Sequence, residues 1–311
     1  MISTSLDFQP LTLSIQPDKI CQYIPSTGRR TTQRLIRSYQ ANFEKERQSN
    51  LMSIQSAKKL RTALNWMVYL SNEKQTYVKE IGRTIKFRLS FITLTLPASQ
   101  IHSDQEIKDR CLVPFLQWLR DSAKVKKYVW KAEIQKNGNI HFHITIDKFI
   151  HYKRIRQQWN KNLTTLGYIK RFQAQHNKIS PPSTEIKSVK NVKNLGAYLA
   201  AYLAPGNNSR NKKTKPEYNI RIISGRLWGV SSYLSKLKSL KITEDFPEFN
   251  YLLKYIKGLA VKSFHQDYIH VYYITSDVFN EIVDSYTDRI GFDWLIESNF
   301  DINDIGQLCP N

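Results

Sequence analysis

Cysteine is scarce. Cys21, Cys111 and Cys309 are the only three in 311 residues, and their spacing matches neither a zinc knuckle nor a redox pair. A disulfide framework is excluded, and a reducing compartment fits. No run approaches the roughly 18 apolar residues of a membrane span. Met1–Pro10 also lacks the basic and apolar regions of a secretory signal, so no membrane partner is expected. No Gly-x-x-x-x-Gly-Lys-Ser/Thr loop occurs, which excludes a built-in P-loop ATPase or helicase. Acidic residues are nearly missing from the middle of the chain. Residues 120–240 hold 5 Asp and Glu against 25 Lys and Arg, whereas residues 241–311 hold 12 acidic residues against 5 basic ones. A solubility surface mixes signs; a stretch that excludes one sign points to a polyanion. Nucleic acid is the expected partner.

What is present divides the chain into four regions: an extended arm over 1–29, a helical accessory region over 30–80, a central α/β region over 81–235, and an acidic C-terminal region over 236–311. Residues Thr31 to Ser71 read as helical and basic, with Leu60, Ala63, Leu64, Met67 and Val68 at helical spacing. A strand follows, in which Ile85, Phe87, Leu89 and Phe91 alternate before the apolar phase slips to Ile92, Leu94 and Leu96. A bulge near Phe91–Ile92 would join the two halves. Ser103 and Glu106 form a capping box for a helix over 103–123. Asn137-Gly138 marks a hairpin between strands 128–135 and 140–146. A basic helix over 151–166 ends at Gly167, a short strand is expected at 184–187, and a helix over 190–203 stops at Pro205-Gly206. Further on come a helix near 246–258, a strand over 268–275 and an acidic helical tail. Hairpin order with intervening helices predicts an α+β fold, a central antiparallel sheet with helices on one face.

The chemistry concentrates at Ile140–Asp147. Ile140, Phe142, Ile144 and Ile146 take one face, and His141, His143, Thr145 and Asp147 the other. Two imidazoles at i and i+2 on an open face can share a metal; spacing alone leaves open a solvated pair that contacts nucleic acid. Glu133 is the sole acidic residue between Asp121 and Asp147. A two-residue turn at 137–138 would set it against Phe142, facing the core, while a three-residue loop over 137–139 would set it against His143. The second register is preferred, because a lone carboxylate is a poor core residue. Tyr198 and Tyr202 stand four apart on one helical face, either as a packing stripe or as nucleophiles beside a metal-polarised phosphate.

These segments resemble the HUH endonucleases, specifically the rolling-circle replication initiators of the microvirus- and filamentous-phage-like branch and their plasmid relatives. Phe91–Leu96 looks like the first motif of that family. His141-Phe142-His143 is similar to its His-hydrophobic-His metal motif, with Glu133 placed like the third ligand. Tyr198-Leu199-Ala200-Ala201-Tyr202 resembles the Tyr-x-x-x-Tyr nucleophile motif, and Gly225–Ser231 a downstream segment. The resemblance covers about residues 55–235. Ala201 stands where two-tyrosine members often carry Lys.

The resemblance implies an RRM-like endonuclease sheet and a metal-dependent nickase. Mg²⁺ or Mn²⁺ on His141, His143 and Glu133 would polarise a phosphate that Tyr198 attacks, leaving a 5′-phosphotyrosine and a 3′-OH primer; Tyr202 would perform the second transfer. Lys153, Arg154, Arg156, Lys170, Arg171, Lys190 and Lys193 are the expected contacts to single-stranded origin DNA. Trp130, Tyr168 and Phe172 either stack on bases or fill the core. Helicase and polymerase would act in trans, in the cytoplasm of a bacterial host. Rival readings are a single-strand transposase of the same superfamily and a non-catalytic RRM-like binding protein. His102, His151, His176, His265 and His270 are read as structural.

Overall fold

The computed structural model describes residues 9–25, 54–189, 221–237 and 239–290. They belong to two compact units, one of residues 39–235 and one of residues 1–38 with 236–311. Tyr198, Tyr202, Lys190, Lys193, the helix expected over 190–203 and the chain past Ile290 lie outside the described residues, as does the helical region expected from Thr31 up to residue 53.

In chain order the elements are β1 (Thr12–Gln16), β2 (Lys19–Tyr23), α1 (Ile54–Tyr69), β3 (Lys74–Val78), β4 (Arg83–Phe87), β5 (Leu89–Leu94), α2 (Asp104–Ile107), α3 (Val113–Asp121), β6 (Tyr128–Ile134), β7 (Ile140–Ile146), α4 (Tyr152–Thr164), α5 (Tyr168–His176), β8 (Thr184–Val189), β9 (Trp228–Val230), α6 (Ser232–Lys236), β10 (Leu240–Thr243), α7 (Phe249–Leu259), β11 (Lys262–Gln266), β12 (Ile269–Tyr273) and α8 (Ser276–Ile290). A π-helical stretch, Lys108–Leu112, joins α2 to α3. The fold is α+β with antiparallel sheets, as the element order predicts.

The central unit is built on a five-stranded sheet ordered β8-β5-β7-β6-β9. β7 is its middle strand, paired on both sides. Period-2 alternation sends Phe142 and Ile144 of β7, Ile92 and Leu94 of β5 and Trp130 of β6 to one face, where they meet Phe115 of α3, Trp159 of α4 and Tyr168 of α5 in a single core. The Trp159 indole donates to Thr95 O at 2.9 Å and fixes α4 to the end of β5. Ser103 caps α2 as expected, its hydroxyl accepting from Glu106 N. The other sheet face carries the histidines. Val129 and Thr145 of that face are fully buried, with α1 lying against β6 and β9.

Several expectations need correction. The phase slip near Phe91 is not a bulge: β5 pairs without interruption from Leu89 to Leu94. The break falls at Arg88, where the chain leaves a separate two-stranded ribbon, β3–β4, and enters the central sheet. The arm expected over 1–29 contains β1 and β2. Leu13 and Ile15 alternate with Thr12 and Ser14, Pro17-Asp18 makes the turn, and the hairpin joins a second five-stranded sheet ordered β10-β1-β2-β12-β11. The acidic C-terminal region therefore shares a sheet and a compact unit with the first strands, and Leu13, Ile15, Ile20, Leu252, Ile256 and Phe279 of that unit are buried. Helix α5 also had no separate place in the sequence reading, because Gly167 looked like a stop; its φ of 74° makes it a corner after which the chain turns helical again.

A buried polar latch holds the β6–β7 hairpin tip. Arg221 grips Asp104 with two bonds, 2.6 and 2.7 Å, and donates to Gly138 O at 2.9 Å and Gln100 Oε1 at 2.8 Å. Asp104 is 4% exposed. Burial works to raise its carboxyl, but the bonds from Arg221, Gln100 and Ser224 N win and hold it below the ordinary aspartate value. Asp104→Asn should cost about 2 kcal/mol, discounted because Arg221 is partly exposed, or roughly 5 °C in Tm. A depressed folded pKa gives stability that is complete above the unfolded value of about 3.9 and lost as pH falls through the folded one. Thermal melts of both proteins should therefore keep a constant gap from pH 7 down to about 5 and converge only below about 4.

Candidate active site

Neighbouring strands bring three ligand-type side chains together. His141 and His143 project from β7, and Glu133 from β6 stands directly opposite His141. The hairpin loop has three residues, as preferred, but it begins one residue early, at Lys136. Gln135 N donates to Asn139 O at 2.8 Å, Gly138 N to Gln135 O at 2.9 Å, and Gly138 takes φ 81°. Glu133 thus shares the histidine face with a register shifted by two from His143. The strict two-residue Asn-Gly turn does not form.

The carboxylate is divided between two tasks. Glu133 Oε2 lies 3.5 Å from His141 Nε2 and 3.3 Å from His143 Nε2. Its other oxygen, Oε1, accepts from Lys131 Nζ at 2.6 Å. Lys131 is 4% exposed and faces His143 across the strands. Burial tends to raise the Glu133 carboxyl, yet the two imidazoles and the Lys131 ammonium prevail and hold it far below the ordinary carboxylate range. Burial likewise pushes the His143 imidazole below its usual value, with Glu133 pulling the other way and His141 and Lys131 adding to the fall. The shift favours the neutral imidazole, the form a metal needs.

Two residues of the first strand motif orient His143. Thr93 Oγ1 sits 3.2 Å from Nδ1, which leaves Nε2 to the Glu133 side. The Phe91 ring stacks on the imidazole at 5.2 Å between centroids. His141 contrasts with it: both ring nitrogens are buried, Nε2 has only the long 3.5 Å approach to Glu133 Oε2, and Nδ1 has no partner. Such an orphan is costly unless a ligand satisfies it. The candidate ligand atoms of the three residues all lie within 4.8 Å of one another, and among the described residues they are the one group of three His, Cys, Asp or Glu so placed. Two nitrogens and one carboxylate oxygen converging on an orphaned imidazole suit a divalent ion. An open pocket of about 490 Å³, lined by Ile134, Gln135, Lys136, Asn137 and His141, adjoins the site.

The sequence reading singled out basic residues that the fold does not assemble with this centre. Lys153, Arg154 and Arg156 lie in the first turns of α4, and Lys170 and Arg171 in α5. Both helices pack on the sheet face opposite the histidines. Trp130 and Tyr168 are core residues; the Tyr168 hydroxyl accepts from Ile101 N at 3.2 Å. Lys131, Thr93 and Phe91 were not picked out as site residues. Their signal was parity: Lys131 has the phase of Glu133, and Phe91 and Thr93 that of the polar side of β5.

Residues 89–207 match the family model of the ORF2-type replication-associated proteins. The match covers 119 of the 311 residues. It runs from β5 through Glu133, His141 and His143, and it contains Tyr198 and Tyr202. No curated protein and no solved structure matches the chain. A replication-associated protein acts on DNA, and the excess of 25 basic over 5 acidic residues in 120–240 suits that role. No helix among the described residues is long and apolar enough to cross a membrane.

Proposed function

We propose that the protein initiates rolling-circle replication by nicking single-stranded origin DNA. The observation that carries this reading is the His141–His143–Glu133 cluster, with the His141 Nδ1 buried and unbonded, inside the segment that matches the replication-associated model. Mg²⁺ or Mn²⁺ bound there would supply Lewis-acid polarisation of the scissile phosphate. The chain's own groups do the rest. Tyr198 Oη bonds to phosphorus as the bond from phosphorus to the 3′-oxygen breaks, and the phenolic proton ends on that oxygen. One phosphodiester is exchanged for another, so the 5′-phosphotyrosine retains the energy for religation and the 3′-OH is free to prime synthesis. Tyr202 performs the second transfer. Lys131 keeps Glu133 Oε1 occupied, which reserves Oε2 for the site, and Thr93 holds His143 in one orientation. Helicase and polymerase come from the bacterial host, in whose cytoplasm the protein works.

The family match favours this reading over a transposase of the same chemistry. A non-catalytic binding protein would give no reason for two histidines and a carboxylate to converge in one place. The test is an adduct assay. Single-stranded oligonucleotides tiling the encoding replicon are incubated with protein and Mn²⁺ or EDTA, run on a denaturing gel, and the labelled peptide is mapped by mass spectrometry. A Mn²⁺-dependent adduct on Tyr198 is expected. Binding of every oligonucleotide with no covalent product in either condition would remove the reading.

A further inference from the structure

The β3–β4 ribbon belongs to neither five-stranded sheet, and no described strand pairs with its edges. Five residues a side give it a reach of about 17 Å. Its inner face holds Ile85, half-buried, and Phe87, packed on Phe149, beside their partners Thr76 and Lys74, whose ammonium donates to Asp147 O at 2.6 Å. Its outer face is exposed and polar: Gln75 pairs with Lys86 and Tyr77 with Thr84. Tyr77 is 60% exposed. At the tip, Lys79 opens a 3₁₀ turn that Gly82 closes in the left-handed region, and Arg83 follows it.

The charges on this ribbon are unequally engaged. Glu80, at the tip, is taken by His151 at 2.8 Å and Lys153 at 3.6 Å. That contact brings the tip against the first turn of α4, where Lys153 and Arg154 are exposed and the Arg156 guanidinium lies 5.4 Å from the Tyr152 ring centroid. The pair Lys86–Glu73 is more than half exposed on both sides and is screened by salt. Lys79, Arg83, Lys86, Lys153 and Arg154 thus make one cationic surface, from the ribbon to the start of α4.

We propose that the β3–β4 ribbon binds duplex DNA by entering the major groove, with the start of α4 on the flanking phosphates. A two-stranded ribbon has the width that groove admits, and Gln75, Tyr77, Thr84 and Lys86 carry the donors and acceptors that read base edges. A single strand offers no such groove. The inference goes beyond strand nicking and rests only on the reading of the chain as a DNA-binding protein.

The experiment uses the full chain in EDTA, where no cleavage occurs, so the nicking chemistry does not enter. A fluorescein-labelled 30-base-pair duplex of mixed sequence and one of its strands are titrated by anisotropy across 50–250 mM KCl. The variant Lys79→Ala/Arg83→Ala/Lys86→Ala should bind the duplex at least about 10-fold more weakly. Its log–log salt slope should be shallower by about 2 to 3, while single-strand affinity stays within about twofold. Thr84→Glu, which adds one carboxylate to the outer face, should show the same selective loss. An unchanged duplex affinity and slope would overturn the proposal. So would an equal loss on both ligands, which would indicate a general polyanion surface.

Discussion

Tyr198→Phe is expected to abolish the covalent adduct, lowering its rate of formation by about 10⁴-fold or more. The substitution removes one oxygen and leaves an aromatic ring of nearly the same size, so affinity for the same oligonucleotide should hold within about twofold. Tyr202→Phe should leave the first adduct intact and remove the second strand transfer. Single-turnover assays on a denaturing gel separate the two steps. Should the Tyr198→Phe protein form an adduct on Tyr202 at the wild-type rate, the order of the nucleophiles is reversed. Ala201, where two-tyrosine relatives often have Lys, makes the second transfer the step most open to such a surprise.

Glu133→Gln should strike both metal binding and stability. The amide keeps the shape of the carboxylate but not its charge, so Mn²⁺ affinity should fall at least about 100-fold, measured by calorimetry or by the electron-spin signal of free Mn²⁺. Lys131, 5% exposed at its side chain and 2.6 Å from the lost oxygen, would be left without a counter-charge. Breaking a buried pair in this way costs about 3 kcal/mol, or about 10 °C in Tm for a unit of this size. Combining Glu133→Gln with Lys131→Met removes the stranded ammonium as well. The double variant should recover most of the stability and none of the metal affinity. Recovery of both would mean that Glu133 acts only as a counter-ion.

Much of the candidate centre was legible in local alternation. The run from Ile140 to Asp147 placed both imidazoles on one face because a strand has a period of two, and the cost of a lone carboxylate in the core put Glu133 with them. The partner of Glu133 was misread by two positions. Where a three-residue loop begins cannot be read from Asn137-Gly138 alone when the preceding Lys136 is equally able to join it. The least legible features join residues far apart in sequence. Nothing near Asp104 announces Arg221, and nothing in the turn-rich first residues announces partners in β10 and β12. A lysine on alternating strand sequence also reads as solvent-facing by default; the burial of Lys131 depends on its neighbours His143 and Trp228 across two strand pairings.

The second sheet has a consequence for synthesis. Thr12 of β1 pairs with Thr243 of β10, and Tyr23 of β2 with Ile269 of β12, whereas residues 39–235 form their unit from contiguous chain. On the ribosome the β1–β2 hairpin emerges well before its partner strands, and it must wait with both edges bare while the whole histidine-bearing unit is made. A hairpin alone is at best marginally stable, and open edges invite pairing with other chains. The high contact order of this sheet makes its closure the slow step of folding. Proteins cut after residue 235 should retain the histidine-bearing unit but carry an unmatched hairpin that promotes aggregation.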